Sequence, residues 1–112
     1  MSAGADQYVL VLTNLPDREA ALELARTLVE KRLVACVNVL AACTSVYRWK
    51  AGVQTESEVP VLLKTHRARY ESVQQEILAL HPYELPEIIA VPMARGFEPY
   101  LEWVAAEVGL EE

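Results

Sequence analysis

Residues 33–50 read L-V-A-C-V-N-V-L-A-A-C-T-S-V-Y-R-W-K, and after Ala51 and Gly52 residues 53–65 read V-Q-T-E-S-E-V-P-V-L-L-K-T. The β-branched and aromatic residues, their alternation and the central glycine predict a long β-hairpin. Each arm exceeds the usual strand of about five or six residues. Part of the hairpin should therefore project from a domain of 112 residues, and a projecting ribbon with apolar side chains indicates assembly with another chain.

The two faces of the hairpin differ in composition. On the first arm, we expect the mostly apolar odd-numbered residues from Ala35 to Trp49 to face the helices. The even-numbered residues from Cys36 to Lys50 mix polar and apolar side chains, as a subunit contact or a cleft wall does. Pro60 on the return arm cannot donate a ladder hydrogen bond, so it predicts a sheet edge or a bulge.

The rest of the chain predicts alternating strands and helices. These are a strand at Tyr8 to Thr13, a helix from about Asp17 to Lys31, a helix from Arg67 to Leu80, a strand at Ile88 to Val91 and a helix from Glu98 to Val108. The order is β-α-β-β-α-β plus a C-terminal helix, the split βαβ arrangement of an α+β fold. Right-handed crossovers predict the first and third strands in the centre, parallel, with the second and fourth at the edges. We expect one domain over residues 8–112, preceded by a flexible tail over residues 1–7.

Composition excludes several classes of function. Hydrophobic residues make up 53% of the chain, which is ample for one core. The net charge is −6, and no cluster of Lys or Arg offsets it, which argues against a nucleic-acid partner. No stretch approaches the ~20 apolar residues of a membrane span, and the first residues do not resemble a signal peptide. We therefore expect a soluble cytoplasmic protein with no membrane partner.

The two cysteines are expected to be free thiols. Cys36 and Cys43 lie seven residues apart in one predicted strand, which corresponds to about 20 Å or more in extended chain. That separation is beyond the reach of a disulfide. Free thiols fit a reducing compartment.

Cys36 and His81 are the side chains best suited to bind a soft or borderline metal. Their spacing matches no zinc-binding signature, so the fold or a subunit contact would have to assemble any metal site. The alternatives stay open. Cys36 is more typical of a small buried apolar residue than of a metal ligand, and His81 can cap the helix that Pro82 ends.

Other side chains indicate a cleft rather than a catalytic centre. Glu58 and Lys64 share one parity on the return arm and could line one cleft, or form part of a solvated strand face. Tyr47 and Trp49 could stack on a ligand, although packing against a neighbouring subunit is the preferred interpretation. No nucleotide-binding glycine motif occurs, and no base is placed beside a thiol by the sequence, so no enzyme activity is predicted.

Several motifs together resemble one known family. They are A-C-V-N-V (35–39), T-S-V-Y-R-W-K (44–50), E-V-P-V-L-L-K-T (58–65), H-P-Y-E-L-P-E-I-I-A-V-P (81–92), Gly96 and Y-L-E-W (100–103). They resemble the CutA family of divalent-cation tolerance proteins over nearly the whole chain from Tyr8. Two departures are a cysteine at position 43, where the family more often has an aliphatic residue, and a turn glycine displaced by one position.

The resemblance implies a ferredoxin-like fold and a homotrimer similar to the PII signalling proteins, with the Leu33–Thr65 hairpin interlocking the subunits. It also implies a role in tolerance of copper and other divalent metals, with no cofactor needed for folding. Carried over by position, Cys36 and His81 are candidate metal ligands. The residues expected to line an inter-subunit cleft are Asn38, Trp49, Glu58, Lys64, Tyr83 and Glu87.

Two functions follow from the resemblance. The first is a non-enzymatic homotrimer that binds divalent metal, with Cu(II) as the leading candidate. The second is a PII-like signalling or scaffold trimer whose inter-subunit cleft binds a small ligand or a protein partner. In both, the outer end of the hairpin, Val46 to Thr55, should contact another copy of the chain, and its inner half should form a cleft with residues 81–87.

Overall fold

The computed structural model describes residues 7–110. The predicted tail over residues 1–7 lies outside these residues, apart from Gln7. The regular elements are β1 (Tyr8–Leu15), α1 (Arg18–Glu30), β2 (Cys36–Val39), β3 (Cys43–Trp49), β4 (Gly52–His66), α2 (Tyr70–Leu80), β5 (Ile89–Pro92) and α3 (Glu98–Glu107). A short 3-10 turn, Arg67–Arg69, leads into α2. The order confirms the α+β ferredoxin-like arrangement with an extra C-terminal helix, and the first arm of the hairpin is divided into two strands.

The sheet runs in the order β2, β4, β1, β5, with β3 also pairing with β4. β1 and β4 form the centre and the other strands form the edges, as predicted. The predicted direction is wrong, because β1 and β4 are antiparallel, with Tyr8 opposite His66 and Leu15 opposite Val59. β4 lies between β1 and β2 and is antiparallel to both. The two strands that α1 connects, β1 and β2, are therefore parallel to each other and separated by β4.

The core lies between one face of the sheet and the helices α1 and α2. Alternate residues of β1 and β4, such as Val11 and Leu63, are fully buried against Leu28 of α1 and Ile77 of α2. α1 begins where the Asp17 carboxylate accepts a hydrogen bond from the backbone N–H of Ala20 at 2.8 Å, as an N-cap does. This packing fixes the position of the inner half of the hairpin.

α3 covers one end of the opposite face. Leu101 and Val104 pack against Tyr8, whose side chain points away from the core because successive strand residues alternate. The Arg32 guanidinium donates to the carbonyl oxygens of Glu107 and Ala106, at 3.0 and 3.2 Å. It thereby caps the C-terminal end of the helix, where cations are favoured.

A one-residue bulge changes the register of the hairpin. Val39 lies opposite Val61, but Cys43 lies opposite Glu58, so three residues of the first arm face two of the return arm. The bulge lies opposite Pro60, which confirms the prediction made for that residue. It also corrects the expectation that all odd-numbered residues share one face. Val37 and Val39 pack against the core, whereas Tyr47 and Trp49 lie on the face of Glu56 and Glu58.

Beyond the bulge, β3 and the first part of β4 form a two-stranded ribbon that projects from the domain. The chain measures 50 × 26 × 23 Å along its principal axes. The ribbon turns at Lys50 and Ala51, between the paired residues Trp49 and Gly52, one position earlier than predicted. Lys50 has a φ of +56°, in the left-handed region that a tight turn requires.

Candidate functional site

A cleft of about 860 Å³ lies between the ribbon and the loop that follows α2. We call it the ribbon cleft. Its lining residues are Asn14, Ser45, Val46, Tyr47, Arg48, Trp49, Glu56, Glu58, Pro82, Tyr83, Glu84, Leu85, Pro86 and Glu87. The inner half of the hairpin was predicted to form a cleft with residues 81–87, and the structure places Tyr47 and Trp49 of the outer end in the lining of this cleft as well. The register change at the bulge turns these two rings toward the loop.

The loop over residues 81–87 is held against β1 by His81. Pro82 ends α2, and the His81 Nε2–H donates to the carbonyl oxygen of Asn14 at 2.6 Å. The other ring nitrogen, Nδ1, accepts the backbone N–H of Tyr83 at 3.2 Å. His81 is buried, and both ring nitrogens are occupied in the neutral Nε2–H tautomer. The imidazole therefore bonds to a neighbouring strand, while the backbone N–H of His81 caps its own helix by donating to the Ile77 carbonyl oxygen at 2.8 Å.

Asn14 fixes the far end of the same loop. Its side-chain Nδ2–H donates to the carboxylate of Glu87 at 2.9 Å. Because its backbone carbonyl accepts from His81, one residue of β1 holds both ends of the loop. The loop thus has a fixed position relative to the central strands of the sheet.

Carboxylates and phenols meet inside the ribbon cleft. Glu58 is only 8% exposed. Burial, a hydrogen bond with Glu58 and the charge of Glu58 raise the pKa of Tyr83 to about 12, and Tyr47 and Glu56 contribute further. The pKa of Tyr47 is also raised, first by desolvation and then by Glu56 and Glu58. These shifts have the sign that a concentration of negative charge produces.

A second polar group lies on β2 and β4, away from the cleft. The Lys64 ammonium group lies 3.9 Å from the Cys36 sulfur and donates a hydrogen bond to the Asn38 side-chain oxygen. Burial, together with the charge of Cys36 and a hydrogen bond to it, raises the pKa of Tyr100 in α3. We call Cys36, Asn38, Lys64 and Tyr100 the thiol cluster. It is formed by register, because Cys36 lies directly opposite Lys64.

The structure divides the sequence-predicted site residues between these two places. Trp49, Glu58, Tyr83 and Glu87 line the ribbon cleft, whereas Cys36, Asn38 and Lys64 form the thiol cluster. Glu58 and Lys64 share one parity of β4 but are six residues apart, or roughly 20 Å along the strand.

Cys36 and His81 are not brought together within one chain. Lys64, opposite Cys36, pairs with Leu10, four residues before the Asn14 carbonyl that His81 binds, or roughly 13 Å along β1. Within residues 7–110, no group of three or more His, Cys, Asp or Glu side chains is arranged to hold a metal ion. The donor set of a single chain therefore does not fit a bound metal, and a joint role of Cys36 and His81 stays a prediction that requires ligands from two chains.

Sequence reasoning missed several cleft residues. Asn14 was assigned no role in a cleft, but it holds the loop through its side chain and its backbone carbonyl, while Asp17 caps α1. Glu56 lines the cleft, and so does Tyr47, for which packing against a neighbouring subunit was the preferred interpretation. A usable signal was Pro60, because a bulge at that point moves Tyr47 and Trp49 to the face of Glu56. The two cysteines are free thiols, as predicted.

The fold and the motifs that form the cleft define a class of divalent-cation tolerance proteins. The profile of the CutA1 divalent ion tolerance protein family matches residues 9–107. The chain therefore belongs to the CutA1 family. Within the part of the chain that the structure describes, no helix has the length and apolar character needed to cross a membrane.

Individual relatives agree with this assignment. The divalent-cation tolerance protein CutA of Thermus thermophilus is 41% identical over 100 residues, which cover 89% of this chain and 97% of that protein. Human protein CutA is 43% identical over 89 residues, 80% of this chain but only 50% of the human protein. This chain thus spans about half the length of the human relative.

Solved structures show the same fold. The structure of the Thermus thermophilus protein superposes with a TM-score of 0.89 at 40% identity, covering 91% of this chain and 99% of that one. CutA1 from the psychrotrophic bacterium Shewanella sp. SIB1 gives 0.88 at 38% identity, covering 90% and 94%.

Proposed function

We propose that this chain assembles as a homotrimer through the Leu33–Thr65 hairpin and binds divalent metal ions, Cu(II) among them, at clefts between its subunits. Membership of a divalent ion tolerance family supports the biological role. The observation that carries the binding proposal is the charge of the ribbon cleft. Its lining has one arginine, Arg48, and four carboxylates, those of Glu56, Glu58, Glu84 and Glu87. Carboxylate oxygens suit hard divalent cations, and copper(II) accepts oxygen and nitrogen ligands.

Two apolar surfaces support the assembly. On the sheet face opposite α1 and α2, Ile89 and Val91 of β5 are each 47% exposed and pair with Leu12 and Leu10. On the ribbon face opposite Tyr47 and Trp49, Val46 is 67% and Val53 63% exposed. Contiguous exposed apolar side chains on a strand pair are typical of a contact with another chain.

A metal site shared between subunits would reconcile the family role with the donors of this chain. The ribbon cleft has carboxylates but no imidazole or thiol in its lining. His81 becomes a ligand only by giving up one of its two hydrogen bonds. A neighbouring subunit that brings its own side chains to the cleft would complete the coordination, so metal affinity should depend on assembly.

The test combines light scattering with metal calorimetry. We expect a mass three times that of the chain, and Cu(II) binding that Glu58→Gln weakens about tenfold or more, because a buried carboxylate ligand is lost. Glu23→Gln, an exposed carboxylate on α1, is the matched control and should bind as wild type. Cys36→Ser and His81→Gln, measured separately, decide whether either residue is a ligand.

Two results would count against the proposal. A stable single chain in light scattering would refute the assembly. Copper binding that is absent in wild type, or equally strong in Glu58→Gln, would refute the ribbon cleft as the metal site.

A PII-like ligand-binding trimer is the second candidate function. It is favoured by the size of the ribbon cleft and by its aromatic lining, since small-molecule sites are typically concave and about 300–1,000 Å³. A metabolite would then occupy the cleft, and a protein partner would bind the trimer differently with and without that metabolite. A ligand that raises the melting temperature in a metal-free buffer would favour this candidate over the first.

The cytoplasm is the compartment we propose, on the ground that both cysteines are free thiols. Relatives occur elsewhere by name, in the chloroplast for an Arabidopsis thaliana protein and in the periplasm for an Archaeoglobus fulgidus protein. Fractionation of cells that express the chain with its native flanking sequence tests the proposal.

A further inference from the structure

We propose that the ribbon cleft binds the ammonium head group of a small organic cation beside Glu58, with the charge held against the rings of Tyr47 and Tyr83. The proposal rests on the proposed function in one respect, that the ribbon cleft is the ligand site of this protein. It adds the chemical class of the ligand.

The walls of the cleft have the composition that such a cation needs. Three aromatic side chains, from β3 and from the loop after α2, line it together. The face of an aromatic ring attracts a cation through its quadrupole, and sites for alkylated ammonium ions are lined by several rings. A bare metal ion gains little from these rings, because it is held by lone pairs on oxygen, nitrogen or sulfur.

One ring already holds an ammonium group of the protein itself. The Lys50 Nζ lies 5.6 Å from the centroid of the Trp49 ring, within the distance at which a cation and a ring attract each other. An ammonium ion is thus compatible with the surroundings of Trp49. Trp49 lies opposite Gly52 and Glu58 lies opposite Cys43, roughly 20 Å apart along the ribbon. Trp49 therefore lines the outer end of the cleft, and the rings that interact with Glu58 are those of Tyr47 and Tyr83.

The charge at the base of the cleft selects for a cation. Only 8% of Glu58 is exposed, and no salt bridge to it is formed within residues 7–110. A buried carboxylate without a cationic partner is costly. Glu58 raises the pKa of the Tyr83 hydroxyl, but that neutral group leaves the negative charge uncompensated. An ammonium head group would supply the missing positive charge.

The size of the cleft agrees with an organic ligand. Its volume of about 860 Å³ lies within the usual range for sites that bind small molecules. Pro82 and Pro86 restrict the loop, and the two bonds of Asn14 fix its ends. The rings and carboxylates are therefore already positioned before a ligand binds, which reduces the ordering cost.

The experiment is an NMR titration in a buffer containing a metal chelator, and it follows the aromatic ring signals of Tyr47 and Trp103. The probes are choline, which has a quaternary head group, ethanolamine, which has a primary one, and 3,3-dimethylbutan-1-ol, the neutral isostere of choline. We expect at least one of the two cations to move the Tyr47 signal saturably, while the neutral alcohol does not. Trp103 on α3 lies outside the cleft lining, so its signal serves as an internal control.

Two matched pairs of variants sharpen the result. Glu58→Gln should weaken the binding of the cation about fivefold or more, and Glu23→Gln should not change it. Tyr47→Leu, followed by calorimetry, should weaken binding by a similar factor, whereas Trp103→Leu should leave it unchanged. If choline and ethanolamine shift nothing up to tens of millimolar, or if the neutral alcohol shifts Tyr47 equally, the inference is wrong.

Failure of this inference is distinguishable from failure of the proposed function. If copper binds and Glu58→Gln weakens it, but neither cation moves the Tyr47 signal, the ribbon cleft is a metal site and only the ammonium inference fails. If light scattering gives a single chain that binds no metal, while choline binds in the cleft, the proposed assembly and metal role fail and the ammonium site stands.

Discussion

The two halves of β4 belong to one continuous strand of 15 residues but depend on different neighbours. In the inner half, Val59 to His66, every second residue from Val59 to Thr65 is buried by the helices. In the outer half, Gly52 to Ser57, no residue is buried. The strand thus keeps its backbone hydrogen bonds in both halves, but only the inner half packs against the hydrophobic core.

This difference shows what each half contributes. The inner half is stabilised by apolar burial within its own chain, which is the dominant favourable term in folding. A two-stranded ribbon is marginal by itself in water, so the outer half would gain most from the contact with another copy that we propose. The face with Tyr47 and Trp49 lines the ribbon cleft, and the opposite face has the exposed side chain of Val53.

The largest expected effect on stability is that of a substitution in the inner half of β4. Leu63 is fully buried, so Leu63→Ala should lower the free energy of unfolding by about 2–5 kcal/mol, through lost burial and the cavity left behind. Urea denaturation monitored by circular dichroism measures the change.

Val53→Ala is the counterpart in the outer half. Its side chain is 63% exposed, so the fold of one chain should change by less than about 0.5 kcal/mol. If Val53 contacts another subunit, the denaturation midpoint should depend on protein concentration, and the variant should lower the midpoint most at high dilution. A loss as large as that of Leu63→Ala, independent of concentration, would show that the ribbon is part of the core.

Much of this contrast was predictable from the sequence. Alternation in residues 53–65 and the apolar stripes of the helices predicted the elements, since burial on one side imposes a period of two or of 3.6 residues. The bulge was only partly predictable. Pro60 marked its position, but local alternation carries no information about how many residues face each other across two strands. For that reason the faces of Tyr47 and Trp49 were assigned wrongly.

The candidate site was predicted in part for the same reason. Tyr83 and Glu87 came from the H-P-Y-E-L-P-E motif, and the structure places both in the ribbon cleft. The pairing of Cys36 with Lys64 depends on register between distant segments, and the bond from His81 to Asn14 joins residues 67 positions apart. Contacts at such separations are set by tertiary packing, which neither spacing nor composition encodes.

A smaller effect on stability is expected from an unsatisfied hydroxyl group in β1, next to the inner half of β4. Thr13 is buried, and its hydroxyl oxygen has no hydrogen-bond partner within residues 7–110. Its neighbour on the adjacent central strand is Val61, whose side chain cannot form a hydrogen bond. Thr13→Val should raise the free energy of unfolding by about 1 kcal/mol, because an unsatisfied buried hydroxyl is removed with little change of shape. Chemical denaturation measures the gain.

Thr65→Val is the matched control for Thr13→Val. Thr65 is equally buried, but its hydroxyl donates to the Leu33 carbonyl at 2.7 Å. Its replacement should lower the free energy of unfolding by about 1–3 kcal/mol, because that carbonyl is left without its donor. If both variants destabilise the protein to the same extent, the Thr13 hydroxyl has a partner after all.

The smallest effect is a pH dependence at the inner end of β4. His66 accepts the Ala68 backbone N–H at Nδ1, at 3.0 Å, and desolvation, followed by the charges of Arg67 and Arg69, lowers the pKa of His66 below its ordinary value of 6.5. The unfolded chain therefore binds a proton at this residue more readily than the folded chain. The contribution to stability is fully present above pH 6.5 and is lost as the pH falls through 6.5 to the lower pKa of the folded state.

His66→Asn isolates this term, because the asparagine oxygen can accept the same N–H as an N-cap without titrating. The difference in unfolding free energy between variant and wild type should be constant above pH 6.5, and it should shift in favour of the variant as the pH falls below that value. Urea titrations at a series of pH values give the difference. A difference that is constant throughout, or that shifts toward wild type on acidification, would mean that the pKa of His66 is not lowered on folding. An interaction that favours the imidazolium would then have to outweigh its burial and its two arginine neighbours.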